Sequence, residues 1–517
     1  FWFEPPRSPR GRAAVAFRLQ WAGAAAMSGV AVECRLPLAA PAPSSDPRAS
    51  PPRDPVLAEV EPPWANSLCF LVDIVSLGVL ASVIGAVSYA YGYVVGDVLS
   101  KWLTWAGGGK KYPQEYLNDG GLGCPWWVLL CWLGGTAVGL LKVAAGFDSY
   151  SPFIVEIRSQ HCDTVPGLKT CACCVATLLS GAAMGPEAGL ASLGGGAGTF
   201  FADCVARLGP SWAAEADERR RLYVLGGICA AFGTILPSPW VSLLICAECS
   251  MLLHDADGKQ LRLFGRRTLY MLGYVATVAL AVRCAVGKAP WPADLPGGTW
   301  RSGEEHSNAV LPKAVLLGVI GAMASLVQGV VGAVVKLIFA KIGAGIERSL
   351  GTPARITALC SLAGLLTGVL GYMCPMSLTS GKDTMLPMIA SRLTPDPTGS
   401  SWYLLWIAVA KTLSFSVASA GGMVGGPFFP VLFVGVVIGQ MCALIPLDWG
   451  PHPTAVTVPV VMTCMPGSVF PIPFTLVAVA LSFFHLDAEG CVPILIGIMT
   501  SYTLVVGSGL FRAMSRG

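Results

Sequence analysis

The sequence predicts an all-α protein folded within a membrane, and three observations carry that expectation. Of 517 residues, 54% are hydrophobic and 12% charged, with a mean hydropathy of +0.63, whereas soluble chains carry about 25% charged residues. The apolar residues fall in long blocks, as they do where lipid is the solvent. Several blocks stop at Gly or Pro well short of the roughly 20 residues that a simple span needs. Interrupted hydrophobic segments in both halves of a membrane chain point to broken helices around a site at mid-depth.

The apolar blocks cover 68–97, 125–146, 168–183, 187–206, 222–235, 240–253, 268–287, 311–341, 355–374, 402–420, 428–446, 455–464, 472–485 and 491–511. Ahead of them, residues 1–66 are rich in Pro, Ala, Ser and Arg. Pro41, Pro43, Pro47, Pro51, Pro52 and Pro55 work against regular structure there, so a disordered tail is expected. An Arg-rich, acid-poor start also fits a targeting peptide, and a first Met at Met27 also fits spurious upstream sequence. Residues 67–517 are expected to form one transmembrane domain with halves at roughly 67–290 and 310–517. The polar stretch 288–310 would part them, and no C-terminal regulatory domain is expected. Arg219, Arg220 and Arg221 in one loop, and Lys259, Arg262, Arg266 and Arg267 in another, are cytoplasmic by the positive-inside rule or simply solvated.

Composition excludes several functions. A net charge of +4 gives no reason to expect a nucleic-acid partner. Cys171, Cys173 and Cys174 form C-A-C-C, readable as a metal or redox cluster or as small apolar fillers; no His-rich segment accompanies them, so no metal site is expected. An intramembrane enzyme needs a nucleophile–base pair or metal ligands at depth. Of the histidines at 161, 254, 306, 452 and 485, only His485, beside Asp487, falls in an apolar block. No catalytic residue and no enzyme activity are therefore expected.

Three breaks carry chemistry. At Gly185-Pro186-Glu187-Ala188-Gly189 a carboxylate opens a glycine-rich apolar helix. An ionisable group at bilayer depth costs about 2.5–3.5 kcal/mol on insertion scales, while a helix start offers free N–H groups and partial positive charge. Glu187 reads either as a tethered substitute for a mobile anion or as a plain helix-start carboxylate. At Gly425-Gly426-Pro427-Phe428-Phe429-Pro430, glycines allow close backbone approach and the N–H groups near Phe428 and Phe429 can hold a desolvated anion; the plainer reading is a kinked packing helix. At Asp148-Ser149-Tyr150-Ser151-Pro152, a hydroxyl by a helix start suits a halide donor or an ordinary cap. Lys411, in an apolar run, either adds positive potential to a vestibule or snorkels to the surface, with snorkelling the favoured reading. Lys382 and Asp383 read as loop residues.

On these breaks the chain resembles the CLC family of chloride channels and chloride/proton antiporters. Gly185 to Gly189 match its gate motif, Gly425 to Pro430 its G-G-x-F-x-P motif, Asp148 to Pro152 its G-S-G-I-P motif in Ser and Pro alone, and Gly233 to Cys249 its Asn-x-Pro-xxx-Phe-xx-Glu-Glu stretch. The resemblance implies a CLC-type fold of two inverted repeats with broken and tilted helices. It implies a homodimer with a pore in each subunit, chloride as the transported ion and no cofactor. It makes Glu187 the gating glutamate, Ser149 the hydroxyl donor to chloride, and Pro427 and Phe428 the pair whose backbone amides face the ion. Gly185, Pro186, Ala188 and Gly189 shape the gate turn, as Gly425, Gly426 and Pro430 shape the other.

Two departures follow. The family's pore tyrosine has no clear match, since Tyr502 falls early in its helix and Phe511 lies nearer the expected region. The antiporters' proton-relay glutamate falls on Cys249, with Glu248 as its neighbour, when counted from Pro239; counting from Pro237 also leaves the relay position without a glutamate. A thiol is a poor relay at neutral pH. The expected function is a voltage- or pH-gated chloride channel. The alternatives are a chloride/proton antiporter with another relay, fluoride or nitrate as the ion, and a non-conducting relative.

Overall fold

The computed structural model describes residues 67–113, 115–116, 121–147, 150, 152–208, 216–236, 238–251, 266–287, 310–382, 384–385, 388, 400–449, 453–470, 472–484, 486 and 490–507. The expected tail at 1–66, the separating stretch at 288–309, and Pro237, Lys259, Arg262, His485 and Phe511 lie outside the described residues.

The described residues fold into helices throughout. The first half holds α1 (Ser67–Gly92), which runs through a π turn at Tyr93–Val98 into α2 (Leu99–Ala106), then α3 (Trp126–Ala144), α4 (Phe153–Ser159), α5 (Thr164–Leu179), α6 (Glu187–Ala206), α7 (Ala216–Ile235), α8 (Pro239–Met251) and α9 (Arg266–Val286). The second holds α10 (Val310–Leu350), α11 (Thr352–Met373), a 3-10 turn at Pro375–Ser377, α12 (Ser400–Ala420), α13 (Phe428–Ala443), α14 (Pro453–Gly467), α15 (Pro473–Phe484) and α16 (Cys491–Tyr502). Six helical stretches among the described residues are long and apolar enough to cross a bilayer. The protein is thus a multi-pass membrane protein.

Several helices outrun their apolar blocks. The first continues past 97 to Ala106, with the Lys101 ammonium 5.7 Å from the Tyr93 ring centre. The tenth runs on to Leu350, where Glu347 pairs with Arg355 at 3.5 Å. The first basic cluster, expected in a solvated loop, lies within α7 instead. Arg219 is buried and its Nε donates to Asp73 Oδ1 of α1 at 3.0 Å, while the Tyr223 hydroxyl donates to the same oxygen at 3.0 Å. Arg220 pairs with Asp203 of α6 at 2.6 Å.

Packing partners recur in the same order in both halves. In the first, α6 lies between α5 and α7, and α7 and α8 both meet α9; in the second, α13 lies between α12 and α14, and α14 and α15 both meet α16. Glycines let the central pairs approach backbone to backbone, as small residues do between membrane helices. A Cβ at Gly194 or Gly198 of α6 would collide with the carbonyls of Gly227 and Tyr223 on α7. A Cβ at Gly435 or Gly439 of α13 would lie 2.7 Å from Met462 Cα and 2.6 Å from Val458 Cα on α14. The halves join where α3 packs on α11 and α8 on α15, and again at the breaks before α6 and α13, which pair antiparallel. That arrangement is a fold of two inverted halves.

Candidate anion gate where two helix starts meet

The two glycine-rich breaks are one site. The Gly185 amide donates to the Gly426 carbonyl at 2.7 Å and the Gly426 amide to the Gly185 carbonyl at 2.9 Å. This antiparallel pair sets the starts of α6 and α13 against each other, so their free N–H groups converge. Glu187, the first residue of α6, is 1% exposed. Its Oε1 accepts from the Phe428 amide, the first of α13, at 2.6 Å, and the amides of Phe429 and of Glu187 itself also bear on the carboxylate. Its Oε2 is buried with no hydrogen-bond partner. A carboxylate thus sits on helix-start donors that would serve a small anion equally well.

The break before α13 is tied down on all sides. The Lys142 ammonium of α3 donates to the Gly422 carbonyl at 2.7 Å and the Tyr150 hydroxyl to the Gly425 carbonyl at 2.7 Å. The Val424 amide donates to Thr177 Oγ1 at 3.1 Å. Gly422 has φ of +76°, a turn that favours glycine. Such bracing holds the α13 donors in place without spending them.

The structure corrects three expectations and leaves two aside. Pro427 cannot donate, because proline has no N–H; the donors are Phe428 and Phe429, one position further on. Lys411 does not snorkel. It is fully buried, and its Nζ donates to the carbonyls of Leu378 and Thr379 at 2.7 Å each, near those of Met376 and Ser377. That cage fixes the turn leading to Lys382, which is no plain loop residue: it is half-buried, with its ammonium 5.9 Å from the Phe429 ring centre and its charge acting on Glu187. Ser149 and Asp383 lie outside the described residues.

Apart from Cys174, whose sulfur lies 3.9 Å from the Gly185 carbonyl oxygen of the gate turn, the remaining predicted positions serve elsewhere in the fold. Cys249 is buried on α8, within electrostatic reach of Arg158. Glu248 is spent as a cap. One oxygen accepts from the Phe474 amide at 2.9 Å, and the other from the Thr475 amide at 2.8 Å and its hydroxyl at 2.5 Å, which pins α8 to the start of α15. Tyr502 ends α16. Cys173 and Cys174 are buried within α5, with the Cys174 sulfur 3.3 Å from the Tyr91 hydroxyl.

Sequence reading missed Tyr150 and Glu156. Tyr150 lies inside a motif read only for its Ser and Pro. Glu156 is a single acid in the apolar run Phe153-Ile-Val-Glu-Ile, the signal that drew notice at Glu187. It is buried on α4, and its Oε1 accepts from Ser192 Oγ of α6 at 2.7 Å.

These features define a helical membrane protein with a buried carboxylate seated between opposed half-helix starts. Residues 158–506 match the family model described as "Voltage gated chloride channel", and the chain belongs to that family, whose members are ion channels and transporters. A segment of 81 residues is 41% identical to the putative ion-transport protein YfeO of Escherichia coli O1:K1, covering 16% of this chain and 18% of that protein. A segment of 84 residues is 38% identical to the protein of the same name in Escherichia fergusonii, covering 16% of this chain and 19% of that one. The chain thus matches under a fifth of the length of these curated relatives. Among solved structures it is similar to a slow cyanobacterial Cl-/H+ antiporter, with a TM-score of 0.63 and 15% identity over 86% of this chain and 97% of the other. It is also similar to a CLC-type fluoride/proton antiporter, with a TM-score of 0.59 and 16% identity over 85% and 96%. At such identities the likeness concerns the fold.

Proposed function

We propose that the protein is a chloride channel, conducting passively through a pathway in each subunit of a homodimer, with Glu187 as a pH-responsive gate. The observation that carries this reading is the bond from the Phe428 amide to Glu187 Oε1 at 2.6 Å. In the closed state the carboxylate occupies donors that an entering chloride needs. Protonation removes its charge, weakens its hold on the α13 helix start, and frees the seat. Backbone donors bind a halide without the tight grip of an ion pair, which suits rapid passage. Passive conduction is supported by the relay position, where Cys249 is a thiol and Glu248 has both oxygens engaged by α15.

Reconstitution tests this directly, with chloride flux and proton movement recorded together. The channel reading expects dissipative chloride flux and no proton transport against a proton gradient. Glu187→Gln should flatten the pH dependence of flux; pH gating that persists unchanged in this variant removes Glu187 from the role.

Chloride/proton exchange is the second reading, favoured by one observation. Glu156 offers a second buried carboxyl with an unbonded oxygen on a helix packed against α6. Chloride-driven proton uptake in the flux assay would select exchange over conduction.

A further inference from the structure

Four carboxylates are buried among the described residues: Asp73, Glu156, Glu187 and Glu248. Asp73 is paired with Arg219 and accepts from Tyr223. Glu248 has both oxygens engaged. Glu156 and Glu187 are alike and differ from these: each has one oxygen held by a donor and the other, Oε2, buried with no partner. A buried polar atom without a partner is costly and calls for an explanation. For a carboxyl group that gains and loses a proton, the open oxygen is where the proton enters and leaves.

We propose that Glu156 is the proton-transfer residue for the Glu187 gate, taking protons from the membrane face that bears Arg219–Arg221 and passing them along α6. The inference rests on the reading of Glu187 as the gate.

Position supports it. The hydroxyl that touches Glu156 belongs to Ser192, which lies on the helix that Glu187 begins, five residues further along, or about 7.5 Å down the axis. From there α6 runs on to Ala206 and the start of α7, where Arg219–Arg221 lie. Glu156 therefore stands between the gate and that face. The surroundings are polar as well as buried: Arg158 Nε and Gln160 Nε2, beside it on and just after α4, also have no partner, so this end of α4 offers several groups for water to bridge.

The groups facing Glu156 are few. Ser192 approaches from α6, and Cys162, which Asp163 influences, from the segment before α5 at 3.8 Å. From α8 come Cys249, nearest Arg158, and Glu248, turned towards α15. From α7, Phe232 packs its ring against Phe153. No cation among the described residues pairs with Glu156.

The transfer balances simply. A proton leaves the open Oε2 of Glu156 for a bridging water, which gives up one of its own in turn, while the Ser192 hydroxyl holds Oε1 in place. Relayed by water along α6, a proton ends on Glu187 Oε2; Glu156 is left as carboxylate and Glu187 as neutral acid, no longer an anion on the Phe428 amide. Glu156 then regains a proton from solution.

The test is chloride current in a planar bilayer with pH varied on each face in turn, using the full-length protein. Glu156→Gln should lose the response to pH on the Arg219–Arg221 face and keep the response to the other; Glu156→Asp should restore it. If Glu156→Gln does not assemble, Ser192→Ala reads the same route and should lose the same one-sided response. A Glu156→Gln channel that follows pH on both faces as the wild type does overturns the proposal, as does loss of both responses. Glu187→Gln reports separately: persistent pH gating in that variant overturns the gate reading and leaves the Glu156 result to be judged by its one-sidedness.

Discussion

Glu187 Oε1 takes its hydrogen bond from the Phe428 amide, across 241 positions of chain. On the proposed reading, the gate of one half closes on the helix start of the other, so opening turns on polar contacts between two inverted repeats. Removing the side chain and removing its charge should then differ. Glu187→Ala empties the seat and should give the largest chloride flux, with no pH dependence. Glu187→Gln keeps an amide oxygen that can still accept from Phe428, but as a neutral group with roughly half the bond strength. Its flux should fall between wild type and Glu187→Ala. Flux ratios in liposomes at fixed pH check the order, and equal flux in all three would mean that Phe428 does not hold the gate.

Much of this was legible beforehand because glycine and proline act locally. The breaks at Gly185–Gly189 and Gly425–Pro430 declare themselves from their own residues, and so does the apolar character of the helices around them. Contacts made by distant segments were not legible. Lys411 shows only an ammonium in an apolar run; the carbonyls that cage it lie more than thirty positions earlier. Glu248 appears as the neighbour of a missing relay, and only the approach of α15 makes it a cap. Tyr150 and Lys382 acquire meaning from Gly425 and Phe429, which no local pattern links to them. The error at Pro427 was different in kind, since the lack of an N–H was visible in the residue itself.

Glu248 should matter for stability and not for proton movement. Glu248→Ala leaves the first amides of α15 without their carboxylate, a capping loss of about 0.5–2 kcal/mol. A lowered melting temperature in detergent, with the ratio of chloride to proton flux unaltered, is the expected pair of results. A changed ratio would return Glu248 to the relay.

Lys411 should be needed for folding. Lys411→Met keeps the length and apolar stem but orphans the Thr379 carbonyl and leaves that of Leu378 only the Tyr112 hydroxyl at 3.5 Å, at about 1–3 kcal/mol for a buried acceptor left unmade. Lys411→Arg should not rescue it, because a planar fork cannot replace a point charge inside a closed cage of carbonyls. Thermal unfolding of both variants in detergent checks this, and wild-type stability in Lys411→Met would show the cage to be dispensable.

Gly426 offers a way to open the proposed gate without substituting Glu187. Its φ is not positive, so alanine fits the backbone there. A Cβ would collide with Cγ and Cδ of Glu187, and one at Gly185 with the carboxylate oxygens. These atoms belong to a flexible side chain, so the cheapest relief is for Glu187 to swing off the Phe428 amide while the paired backbone stays put. Gly426→Ala should therefore conduct as Glu187→Ala does, with high flux and little pH dependence, at small cost in stability. A double-mutant cycle sharpens the point, because residues that act through one contact are not additive: adding Gly426→Ala to Glu187→Ala should change flux no further. Gly426→Ala that stays closed and pH-gated would mean that the pocket yields elsewhere, and that Glu187 is held by more than its seat on α13.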